Sequence, residues 1–185
     1  MMARFPGKSC VGFALLAILV LAACQRGPEK PAPACPVIGI VQDAASLTLF
    51  VPGPGRDLTD VTLEAEIAEF GGFCDTDIDD DDGTGAVEID LRLLFSATRG
   101  PAAVSREAQI SYFIAITDHE ENILARETFT FDFEFEGNRN HIGYIDETTQ
   151  TIPIQPGQIG EDFKVFIGMQ LDEEQLTYNR NKRAR

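Results

Sequence analysis

The chain has 185 residues, 44% of them apolar, and its 15 Lys and Arg stand against 30 Asp and Glu, for a formal net charge of −15. That length and apolar content can bury one sizeable core. A field of that sign repels nucleic acid and anionic lipid surfaces, so nucleic-acid binding is excluded as a function.

The first element is an export signal. Arg4 and Lys8 form a short basic start, and residues 11–23 (VGFALLAILVLAA) are an uninterrupted apolar run of 13 residues. A helix needs about 20 such residues to span a bilayer, and a charged start followed by a shorter apolar run is the pattern of a cleaved signal. Leu21-Ala22-Ala23-Cys24 closes the run and resembles the lipobox of bacterial lipoproteins. The resemblance implies that Cys24 carries lipid and becomes the mature N-terminus. The alternative is an ordinary signal with an A-x-A cut and an incidental cysteine. Several acyl chains hold a protein to a membrane where one chain does not. Gln25 follows Cys24, whereas lipoproteins kept at the inner membrane often carry Asp there, so the resemblance favours the periplasmic face of the outer membrane. Without Arg4 and Lys8 the chain keeps 13 cations against 30 anions, a mature net charge of −17.

Residues 25–34 (QRGPEKPAPA) are rich in Pro and charge and lack apolar periodicity, which predicts an extended tether. At about 3.1 Å per residue, such a segment reaches roughly 30 Å. Of the four cysteines, Cys10 leaves with the signal and Cys24 is taken by lipid. Cys35 and Cys74 then remain in an oxidising compartment, and they are expected to form a disulfide. Neither has CxxC spacing or a nearby His, which disfavours a redox or zinc role.

Hydrophobic periodicity gives the fold class. Val61, Leu63, Ala65 and Ile67 alternate with polar residues, as do Val87, Ile89, Leu91, Leu93 and Phe95. The period of two recurs in Ile110 to Ile116, Phe129 to Phe135 and Val165 to Leu171. Shorter strands are expected at Val37 to Val41, Leu47 to Val51, Ile123 to Arg126 and around Ile142 to Ile154. Gly-Pro and Asp-Gly turns separate them. Seven to nine such strands predict a two-sheet antiparallel sandwich, immunoglobulin-like, over residues 35–178. The helix signal is Asp172 to Tyr178, with Asp172 as cap and Gln175 at the capping-box position. Residues 179–185 form a basic tail, expected to be frayed or to touch anionic headgroups.

Between Cys24 and Arg180 the chain resembles an uncharacterised family of small bacterial lipoproteins. The likeness rests on Cys35-Pro36, on Phe50 with residues 52–61 (PGPGRDLTDV), and on Cys74. It continues in residues 99–102 (RGPA), residues 112–115 (YFIA) and Ile152-Pro153-Ile154, and in the ending GMQL, EQL and YNR. The resemblance implies the lipid anchor and the cysteine pair, and it carries over no catalytic residue.

Catalytic chemistry is thinly represented. His119 sits in an acidic turn and His141 in a polar stretch, without a nucleophile elbow or an H-x-x-x-H spacing. Ser46, Ser96, Ser105 and Ser111 read as turn or solvent-facing hydroxyls. No catalytic residue and no cofactor is assigned. Residues 75–85 (DTDIDDDDGTG) place Asp77, Asp79 and Asp81 two apart with Glu88 eleven after Asp77, a partial match to a calcium loop. Asp82 stands where the loop glycine belongs and the flanking helices are missing, so a solvated acidic hairpin is the favoured reading. The expected function is a membrane-anchored, non-catalytic binding or assembly module with an envelope protein as partner. The alternative is a cell-wall or carbohydrate ligand-binding or hydrolytic domain with its site in the sandwich loops.

Overall fold

The computed structural model describes residues 34–184. The signal, Cys24 and the tether as far as Pro33 lie outside the described residues, as does Arg185. In chain order the elements are β1 (Val37–Ile40), β2 (Ser46–Phe50), β3 (Val61–Ile78), β4 (Gly85–Arg99), β5 (Glu107–Thr117), β6 (Ile123–Glu134), β7 (His141–Ile154), β8 (Lys164–Met169) and α1 (Glu173–Arg183). They form the expected sandwich, immunoglobulin-like in the broad sense of two packed antiparallel-rich sheets with one short C-terminal helix.

Sheet A runs β1-β8-β5-β6 and sheet B runs β2-β3-β4-β7. Every pairing is antiparallel except that of β1 with β8. The alternating residues face inward as their period requires. Ile89, Leu91, Leu93 and Phe95 of β4 meet Ile110, Tyr112 and Ile114 of β5 and Val165, Ile167 and Met169 of β8 in one core. Burying one such aliphatic or aromatic side chain contributes about 1.5–3 kcal/mol. Cys35, two residues before β1, is bonded to Cys74 near the far end of β3, with Cα atoms 6.1 Å apart. The bridge ties the first strand of sheet A to a central strand of sheet B.

Two elements differ from expectation for identifiable reasons. β3 does not stop at Ile67 but continues eleven residues further, to Ile78, through a bulge between Ile67 and Glu69. The bulge adds one residue, so the inward phase shifts to Phe70, Gly72 and Cys74, and the alternation is masked in sequence. Gly72 gives the Ile38 side chain of β1 room there: a Cβ would sit 2.8 Å from Ile38 Cδ1, and that methyl would have to shift. Helix α1 continues past Tyr178 to Arg183, so the tail expected to fray is helical as far as that residue. Asn179 is buried and donates to the carbonyls of Asp43 and Ser46 at 2.9 and 2.7 Å. Arg180 and Arg183 both pair with Asp43, and Lys182 lies 3.7 Å from Glu64. Cations in a last helical turn also oppose the helix dipole favourably. The start of α1 follows expectation: Asp172 accepts from the Gln175 amide while the Gln175 side chain accepts from the Asp172 amide.

Candidate interaction surface

The outward residues of β3, β4 and β7 build one continuous face. Ladder partners share a face of a sheet, so the pairing register assigns the rows directly. They run Glu69, Leu94, Ile145; then Gly71, Arg92, Glu147; then Phe73, Asp90, Thr149; then Asp75, Glu88, Thr151. Eight carboxylates are exposed on this face, from Glu64, Glu66, Glu69, Asp75, Asp77, Glu88, Asp90 and Glu147. Two of them have cations at hand: Lys182 lies by Glu64, and Arg92 is 3.6 Å from Glu147. Asp90 instead accepts from the Thr149 hydroxyl at 2.6 Å. Glu66, Glu69, Asp77 and Glu88 make no ion pair among the described residues.

A trough of about 610 Å³ crosses the middle of this face. Gly71 forms its floor, because nothing stands within 4 Å of where its Cβ would be. Phe73 forms one wall and is 69% exposed, an unusual state for a phenylalanine in the interior of a long strand. The row beside the trough places Asp75 directly opposite Glu88. Like charges in that position destabilise an antiparallel pair.

The residues singled out in the sequence are dispersed over the domain. His141 lies on the outer face of sheet B, its Nδ1 3.0 Å from the Thr98 hydroxyl, while His119 is exposed in the β5–β6 turn of sheet A. Ser111 pairs with Thr130 at 2.7 Å, and the Ser105 hydroxyl accepts from the Glu107 amide. Ser46 lies in β2 and Ser96 in β4.

The acidic segment forms the β3–β4 hairpin tip. Gly83 takes φ +73°, and the Asp79 amide donates to the Thr84 carbonyl at 2.8 Å. Asp77 stands on the strand opposite Ala86, whereas Asp79 accepts from the Asp81 amide. Asp82 accepts from both the hydroxyl and the amide of Thr84, and the hydroxyl above all holds its carboxyl below the usual range. Among the described residues no group of three or more His, Cys, Asp or Glu converges as a metal-binding set. Millimolar calcium is therefore expected to raise the melting temperature little more than magnesium does, because a barely occupied site adds almost nothing to stability. A calcium-selective rise of many degrees, lost in Asp77→Asn with Asp79→Asn, would count against this.

Two further constellations escaped the sequence reading. At the open side between β6 and β7, the buried Tyr112 hydroxyl donates to Asp146 Oδ2 at 2.8 Å. Phe129 stacks on the Tyr112 ring at 4.9 Å, and Phe131 on Tyr144 at 4.1 Å. Asp146, Thr148 and Gln150 occupy inward positions of β7, in phase with Ile142, Ile152 and Ile154. Their polarity hid the strand's period, and the phase with the flanking isoleucines was the available signal. The second constellation is a groove of about 390 Å³ between the β2–β3 loop and α1. Arg56 there pairs with Glu174 and lies 5.2 Å from the Phe50 ring centre, and Phe50 meets Tyr178 edge-on at 5.1 Å. These side chains fasten the helix to the sheet.

Fold and surface thus define a disulfide-bridged β-sandwich with an open acidic face. No family model and no curated protein matches the chain. Among solved structures, the variable (V) domain of the AgI/II polypeptide BspA of Streptococcus agalactiae is similar over 69% of this chain and 73% of that chain. The identity is 9% and the TM-score 0.20, a likeness that transfers no property.

Proposed function

We propose that the protein is a lipid-anchored, non-catalytic binding or assembly module of the bacterial cell envelope, held through Cys24 at the periplasmic face of the outer membrane. The resemblance to small bacterial lipoproteins supports the anchor. The observation that carries the binding role is the outer face of sheet B, where the trough at Gly71, the exposed Phe73 and the carboxylates around them form a surface that the domain's own packing does not need. The bridge between Cys35 and Cys74 supports it too, since it joins the start of the sandwich to the strand that carries this face.

The test is a Cys24→Ser substitution in cells fed labelled palmitate. Wild type is expected to take up label and enter the detergent phase, whereas the variant persists as an unlabelled precursor or a mislocalised protein. Mild crosslinking of wild-type membranes is expected to capture one abundant envelope protein. An unlabelled mature protein, soluble in periplasmic extract, would remove the anchor from this reading.

A further inference from the structure

We infer that the outer face of sheet B receives a basic, extended polypeptide segment that inserts one bulky apolar side chain into the trough at Gly71; this deepens the binding-module reading and rests on it. Charge complementarity selects the occupant. Glu66, Glu69, Asp77 and Glu88 are exposed without an ion-pair partner among the described residues, and they lie on both sides of the trough. A cationic segment relieves their mutual repulsion, and it also relieves the like-charge juxtaposition of Asp75 with Glu88. That juxtaposition breaks a local rule of sheet stability: Asp75 accepts from the Thr76 amide at 2.9 Å, but neither carboxylate has an ion-pair partner among the described residues, the pattern expected where a surface serves an interaction.

The apolar requirement comes from the trough itself, walled by Phe73 and open above Gly71. Spacing follows from the strand. Glu69 and Asp75 flank the trough at positions six residues apart on β3, which corresponds to about 20 Å of extended chain. A partner lying along the strand meets both with cations about two residues to one side and four to the other of its apolar anchor, even offsets that keep all three side chains on one face.

The test uses the full mature chain in neutral detergent and a dye-labelled synthetic heptapeptide, Lys-Ser-Phe-Gly-Gly-Ser-Lys, whose two lysines and phenylalanine share one face when extended. Saturable binding is expected, weakening about tenfold between roughly 0.05 M and 0.5 M salt as the exposed charges are screened. Replacing the phenylalanine of the peptide with alanine, or Phe73→Ala in the protein, is expected to weaken binding severalfold at every salt concentration. Glu88→Lys separates recognition from folding. It is expected to raise the melting temperature by about 1–4 °C, by placing a cation opposite Asp75, while weakening peptide binding about tenfold. Unchanged affinity in Glu88→Lys, or a lowered melting temperature alongside lost binding, would overturn the inference. Salt-insensitive binding of chitotetraose that Phe73→Ala abolishes would overturn it in favour of a carbohydrate ligand. The peptide measurement does not depend on the lipid, so failure of the anchor leaves it intact. A crosslinked partner retained by Glu88→Lys would refute this face alone and not the module.

Discussion

Replacing Cys35 and Cys74 together with serine is expected to lower the unfolding free energy by about 4 kcal/mol. The bridge closes a separation of 39 residues, and in the chain-entropy account a loop of that length restricts the unfolded ensemble by about this amount. Against a total of about 5–15 kcal/mol for a domain of this kind, that is a large share. The structure also says where the loss appears first. β1 has four residues, lies at the edge of sheet A and pairs with β8 alone, so the bridge beside it is its strongest attachment. Ile38 packs over Gly72 at the point where the two sheets meet. Urea unfolding of the double variant should give the lower free energy with a somewhat steeper slope, because the unfolded chain freed of the bridge is less compact, and amide exchange should rise first across Val37 to Ile40. A loss under about 1 kcal/mol, or exchange that rises evenly over both sheets, would show that the sandwich holds β1 without the bridge.

The second large effect concerns Tyr112 and Asp146. Asp146→Ala leaves the buried Tyr112 hydroxyl without its acceptor, and a buried unpaired group of that kind costs about 1–3 kcal/mol. Tyr112→Phe is expected to cost less, about 1 kcal/mol, because Asp146 is only half-buried and water can replace the lost donor. The pair also leaves a signature in pH. Burial, and then the hydrogen bond to Asp146, push the Tyr112 hydroxyl above its usual value. Below pH 10 both folded and unfolded chains keep that proton, so the contribution is fully present. Above about pH 10 the unfolded chain loses it while the folded chain does not, and stability falls by about 1.4 kcal/mol per pH unit. Tyr112→Phe removes that component, so the gap between wild type and variant should close and then reverse as pH climbs from about 10 to 11. An unchanged gap over that range would mean that Tyr112 ionises as readily in the fold as outside it.

Much of the architecture was legible in the residues. A period of two marks Val61 to Ile67, Val87 to Phe95 and Ile110 to Ile116, because a strand buried on one face must alternate, and each of these segments lies within a strand with its apolar face buried. Cys35 and Cys74 pair as expected. The Asp172 cap, with its reciprocal Gln175 bond, is a purely local motif and could be read without a neighbour.

Long-range pairing governed the rest. The bulge in β3 and the polar inward residues of β7 break the apparent alternation, and β4 supplies ladder partners to both strands across the middle of sheet B. Arg180 and Arg183 read as a solvated tail until Asp43, some 140 positions earlier, is brought beside them. The open acidic face has the same origin. Of Glu69, Phe73, Glu88 and Ile145, only Glu88 read as an outward residue, alternating with Val87 and Ile89; the bulge hid the phase of Glu69 and Phe73, and the polar inward residues of β7 hid that of Ile145. Their assembly into one surface, with a trough over Gly71, follows from the order and register of β3, β4 and β7, because strand neighbours are chosen by burial of the whole core and not by any segment alone.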